Sequence, residues 1–187
     1  CLYAGQNQLM KATRHIVIIG LLSALLLVVQ VALAALPNVE LVSFLMIIYA
    51  MVLPFGASLM IAAIFVTLQM LIWGMGDWVI GYYWIWPLYV IILYGIKPLI
   101  KKNDHGWAIV NGIWGFAFGM LFAINHGIFY GFHYSFIYWI KGISFDIIHA
   151  ISNYIVILLL LEPTYKLMVR LIHNYKGNPY ESNNQNR

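Results

Sequence analysis

Asp146, His149 and Asn153 are spaced by three and then four residues in the stretch that opens Gly142-Ile-Ser-Phe-Asp-Ile-Ile-His149. On a helix this spacing puts a carboxylate, an imidazole and an amide on one face near one end. The other end of the stretch, Glu162-Pro163-Thr164-Tyr165-Lys166, carries no such stripe. An ionisable group deep in a bilayer costs roughly 2.5 to 3.5 kcal/mol on insertion scales, so a spanning helix bearing two should turn them toward protein, water or ligand. This face is expected to form one wall of a binding site. The competing reading has Asp146 capping the helix while His149 and Asn153 hold neighbouring helices.

Trp78, Tyr82, Trp86 and Tyr89 recur at spacings of four, four and three, with Tyr83 and Trp84 beside them. Such a stripe could stack a flat heteroaromatic ligand. An interfacial aromatic belt accounts equally for Trp78 and Tyr82, but less well for Trp86, two turns deeper. Asn38 and Glu40 lie between the first two apolar stretches and are expected in the segment that closes the site, with Asn125 in the same polar set. His126, His133, His149 and Asp146 match no metal-ligand spacing, and HExxH, GxSxG and Walker-type loops are all missing. No metal, cofactor or catalytic residue is therefore expected, and ATP-driven work would fall to a partner. Two alternatives stand: a membrane-embedded enzyme using Asp146 and His149 as an acid-base pair, and an assembly or sensory membrane protein without ligand.

The elements that carry these residues follow from composition. The chain has 187 residues, 63% hydrophobic and only 9% charged, with a mean hydropathy of +0.85, which is too apolar for a soluble domain. Several apolar stretches approach the roughly 20 residues of a spanning helix, whereas barrel strands would alternate polar and apolar residues. The expected class is an all-α integral membrane protein. The single cysteine, Cys1, excludes an intrachain disulfide. The net charge of +4 comes from bases that flank apolar stretches as topology signals and form no nucleic-acid stripe.

In chain order, residues 1–9 are unpatterned and precede Met10-Lys11-Ala12-Thr13-Arg14, which looks like a bacterial start, so they are expected to be a non-native or disordered extension. Six helices are expected over residues 10–172. The first runs from about Ile16 to Leu36, the second from Val39 to Leu53, the third from Ala57 to Trp73 and the fourth from Trp78 to Ile100, with Pro87 as a kink. The fifth spans Trp107 to Phe129, with Trp107 at the end away from the site, and an aromatic loop from Tyr130 to Lys141 leads to the sixth. Residues 173–187 read as a disordered cytoplasmic tail. Lys11, Arg14, Lys97, Lys101, Lys102, Lys166, Arg170 and Lys176 all fall at one membrane face, which makes that face, and both termini, cytoplasmic. Small residues let helices approach closely: Gly112, Gly115, Gly119 and Ala123 suggest internal packing, and Gly20 with Ala24 either packing or a docking surface.

Four stretches carry a family resemblance: Leu36-Pro37-Asn38-Val39-Glu40-Leu41-Val42-Ser43, Ile72-Trp73-Gly74, Tyr83-Trp84-Ile85-Trp86, and Gly142 through His149. Over about Met10 to Arg170 the chain resembles the substrate-binding S components of energy-coupling factor vitamin transporters of bacteria. The resemblance implies the six-helix S-component fold with both termini inside and a vitamin-sized site near the outer surface. It also implies partnership with a transmembrane T component and two ATPases, and substrate release by toppling in the membrane. In that family small residues on the first helix, often Ala-xxx-Ala, contact the T component; here the pair is Gly20 and Ala24. Aromatic richness suits a flavin, pyrimidine, pyridoxine-like, folate or corrinoid compound and leaves its charge open.

Overall fold

The computed structural model describes residues 2–101 and 103–175, and the side chains of 13–101 and 103–172. It contains five helices, α1 (Leu2–Ala32), α2 (Val42–Val52), α3 (Phe55–Trp73), α4 (Asp77–Ile100) and α5 (Asp104–Tyr175), with no strand among the described residues. α1, α3, α4 and α5 each contain a segment long and apolar enough to cross a bilayer. Large apolar side chains such as Leu21, Leu99 and Ile128 cover the outside, as a lipid-facing surface requires. The helix of α1 extends back through the residues expected as an unpatterned extension and ends four residues short of Leu36. Most of the expected tail, residues 176–187, lies outside the described residues, as do the side chains of Lys11, Lys102 and Lys176.

α2 lies at the centre. Its apolar residues run all round the helix, and Val42 through Ala50 are all buried, which is how a helix without a polar face must sit. Helix ends leave backbone groups unpaired, so both ends of α2 need partners in a dry environment. At the start, Glu40 accepts the Ser43 N–H at 2.9 Å. At the finish, Lys97 of α4 donates to the carbonyls of Ala50 (2.7 Å) and Met51 (3.2 Å), and Tyr94 donates to Leu53 O (2.7 Å). Lys97, expected only as an orienting charge, thus also caps α2.

α1 packs on α3 and, among its described side chains, buries only Ile19, Ser23 and Leu26, a narrow stripe at spacings of four and three. Gly20 and Ala24 face away from it and are exposed. α3 packs in turn on α4, entered through Pro54 and closed by Gly74, whose φ of 80° is the left-handed conformation that favours glycine at a helix end.

α5 holds the one large departure from expectation. Where a loop is expected from Tyr130 to Lys141, the chain stays helical on both sides of a single reversal at Gly131 (φ 83°, ψ 167°). The arms 104–130 and 132–175 lie antiparallel: Ser135 Oγ donates to Ala123 O at 2.6 Å, and Asn111 Nδ2 donates to Asn153 O at 3.1 Å. The second arm therefore begins directly after Gly131 rather than at Gly142. The expected glycine stripe is the seam. A Cβ on Gly112 would stand 3.3 Å from Ala150 O and one on Gly115 2.9 Å from His149 O, so the backbones meet with no room for a side chain.

At the end of the molecule away from Gly131, Lys97, Lys101, Trp107 and Tyr165 border one cleft of about 380 Å³. The close of α4, the start of α5 and the basic stretch after Tyr165 therefore lie at a common end. Trp107, expected as a bystander there, is fully buried and donates Nε1 to Lys101 O at 3.0 Å.

Candidate binding site

The second arm of α5 buries Asp146, His149, Asn153, Ile157 and Leu161 in one stripe. Its first three members are polar and form one face, as their spacing predicts. Asp146 lies well inside the arm, which corrects the reading of it as a helix cap. It rests instead on the bare backbone of Gly119, where a Cβ would collide with both carboxylate oxygens. Asp146 is 7% exposed, and its Oδ2 has no hydrogen-bond partner.

His149 turns Nε2 toward Glu40 Oε1 at 3.4 Å, and Glu40 is also bonded to the hydroxyl of Ser43. Asn153 Nδ2 donates to the same hydroxyl at 3.1 Å, while its backbone oxygen accepts from Asn111, which accepts from Tyr89 OH at 2.8 Å. Tyr89 stacks on Trp114 with centroids 4.1 Å apart. This run of bonds links α4, both arms of α5 and α2. Asn153 thus holds helices together, as the competing reading has it, and its Oδ1 is left without a partner. His149 does both jobs, since it also lines a cleft.

That cleft, of about 910 Å³, opens beside the Gly131 end of the hairpin, and nine of its lining residues are Phe, Tyr or Trp. Trp78 and Tyr82 of α4 form one wall, Phe118 and Phe122 the floor beside Gly119, and Tyr134, Tyr138 and Phe145 the second arm, with Asn38, Asp146 and His149 as polar points and His133 and Lys141 toward the exposed rim. Tyr82 is the hub, edge-on to Trp78 (5.4 Å), Phe122 (5.4 Å) and Trp86 (5.9 Å). Phe118 is edge-on to the His149 ring at 5.4 Å. Asn38 adopts a left-handed φ of 57°, which asparagine tolerates, and its carbonyl accepts from Ser152 Oγ at 2.8 Å.

The other sequence candidates fall beside this cleft rather than in it. Glu40 and Trp86 line a smaller cavity of about 230 Å³ behind the segment 33–40, which shares Asn38, Tyr82, Phe118 and His149 with the large one. The buried Nε1 of Trp86 has no partner. Asn125 lines neither cavity: it donates to Asp77 O at 3.1 Å and accepts from Trp84 Nε1 at 3.4 Å, tying the start of α4 to α5. His126 pairs with Asp77 at 3.1 Å and lies 4.5 Å from the Tyr138 ring, centroid to centroid.

Phe118, Phe122, Tyr134, Tyr138 and Phe145 were not singled out from sequence. The signal was present: Tyr130, Tyr134 and Tyr138 recur every four residues, and Phe118, Phe122 and His126 do the same. Reading 130–141 as a loop hid the first of these stripes. No family model matches this chain, and neither a curated protein nor a solved structure matches it.

Proposed function

We propose that this chain is the substrate-capture S component of an energy-coupling factor importer in a bacterial plasma membrane, taking up a vitamin-like micronutrient without catalysing a reaction. The observation that carries the reading is the aromatic cleft of about 910 Å³, which is of the size small-molecule sites commonly have, roughly 300 to 1,000 Å³, and is apolar with a few polar points. The exposed Gly20 and Ala24 supply a flat face on which a T component could dock, with two ATPases supplying the energy. Acid-base chemistry by Asp146 and His149 has less support, because His149 Nε2 is turned to Glu40. In this reading the two arms of α5 count separately, giving six helical segments with both termini cytoplasmic.

The assembly test starts from that docking face. Gly20→Leu or Ala24→Leu is expected to abolish copurification with a T component and ATPases while leaving the isolated chain folded and able to retain its ligand. A substitution that instead removes ligand with assembly intact would assign that face to the internal core. Mass spectrometry of what copurifies with the detergent-extracted chain separates capture from catalysis: an unaltered compound supports capture, whereas turnover to a product by the chain alone refutes it.

The orientation makes a separate prediction. A cysteine at Asn103 is expected to react only from the cytoplasm and one at Tyr134 only from outside, since the two positions lie at opposite ends of the first arm and its partner. Reaction of both from one side would overturn the topology.

A further inference from the structure

We infer that the cleft selects a flat aromatic cation, held by the Asp146 carboxylate and the rings around it. This deepens the reading of the cleft as a ligand site and rests on it. Two carboxylates lie near the cleft, Asp146 buried and Glu40 partly buried, and their surroundings differ. Glu40 is fully engaged: it caps the N-terminus of α2 through Ser43 N–H, bonds the Ser43 hydroxyl and faces His149. A carboxylate at a helix N-terminus with a histidine beside it is compensated within the protein. Asp146 is compensated less, by the Gly119 backbone and the nearby His149 alone, with no ion pair among the described residues. It is 7% exposed, its Oδ2 has no hydrogen-bond partner, and it borders the cleft. The nearest imidazole on its own face, His149, has its Nε2 turned to Glu40. Lys141 and His133, the other basic residues around the cleft, are exposed at its rim, and no ion pair joins Asp146 to either among the described residues.

A desolvated carboxylate without an ion pair is costly, and a positively charged group from outside offsets that cost. The rest of the lining favours the same charge. Trp78, Tyr82 and Phe118 line the cleft beside the polar points, and aromatic ring faces attract cations, most strongly where water is excluded. An anionic compound would meet a like charge at a buried polar group of the cleft. Gly119 is what allows this arrangement, because any side chain there would displace the carboxylate.

The test is calorimetric titration of the full chain in uncharged maltoside micelles with three probes of similar shape: N-methylquinolinium (cation), N-methyl-2-quinolone (neutral) and quinoline-2-carboxylate (anion). The cation is expected to bind about tenfold or more tightly than the neutral probe, with the anion weakest. Asp146→Asn is expected to erase that preference. Gly119→Ala, which keeps the carboxylate but pushes it aside, should erase it too, whereas Glu162→Gln at the far end leaves it intact. Equal binding of the cation and the neutral probe, preference for the anion, a preference that survives Asp146→Asn, or no binding by any probe each overturns the inference. Should Asp146→Asn fail to fold, the wild-type ranking and Gly119→Ala decide. The transport reading fails separately: cation preference without assembly with a T component and ATPases refutes transport alone, and assembly with a neutral or anionic ligand refutes the inference alone.

Discussion

Gly115→Ala is expected to lower the melting temperature of the ligand-free chain clearly, while Gly142→Ala on the opposite arm leaves it unchanged or raised. The added Cβ at Gly115 would stand 2.9 Å from the carbonyl oxygen of His149 and 3.0 Å from Asn153 Nδ2. A helical carbonyl cannot rotate aside as a flexible side chain can, so the two arms of α5 must separate along the seam. Overpacking of this kind costs about 1 to 3 kcal/mol. At Gly142 a Cβ meets nothing within 4 Å, and removing a glycine from a helix gains about 0.5 to 1 kcal/mol. The two single-methyl changes therefore differ in sign. Thermal unfolding of both variants in the same detergent, followed by circular dichroism, gives the comparison; coincident melting curves would mean that the seam is not close-packed. Because His149 and Asp146 ride on the displaced arm, Gly115→Ala should weaken ligand binding as well.

Trp107→Ala should destabilise the protein by about 3 to 5 kcal/mol, the range for removing a large aromatic side chain from a core. Trp107 is completely buried, and its indole N–H closes on Lys101 O where α4 gives way to α5. Trp73→Ala makes the contrast, because Trp73 is 56% exposed and its loss should stay within about 0.5 kcal/mol. Trp107 lies at the far end from the cleft, so ligand affinity measured below the melting transition should be unaffected. A Trp107→Ala protein that melts like the parent would refute its assignment to the core.

What the sequence made legible was local. The spacing of Asp146, His149 and Asn153 gave a shared buried face, because helical periodicity is independent of what packs against it. The glycine stripe of residues 112–119 gave close approach without saying to which helix. Pro54 and Gly74 marked ends that the structure keeps, as backbone restrictions act within a few residues. What the sequence did not carry was partnership. Asn125 and Asn153 read as site residues because a polar group in an apolar helix demands a partner, and a single chain of letters does not say whether that partner is a ligand or Asp77 O and Ser43 Oγ. Trp107 reads in the sequence only as lying away from the site, and its burial is not legible locally because it depends on the end of α4. The histidines and tyrosines of 130–141 looked like loop because their polarity outweighed a four-residue repeat, and the sharp reversal needed only Gly131.

The shortness of α2 bears on how the molecule is assembled. Eleven helical residues extend about 16 Å, roughly half the hydrocarbon thickness of a bilayer, so α2 cannot enter the membrane as a span in its own right. The hydrogen bonds at its C-terminal end are supplied by Lys97 and Tyr94, distant in the chain, whereas the bond at its N-terminal end comes from the nearby Glu40, which His149 faces. At the moment α2 is synthesised, its C-terminal partners have not yet been made. The C-terminal partners of α2 are thus available only once α4 has been made, so α2 is expected to settle into its buried place after its later-made neighbours.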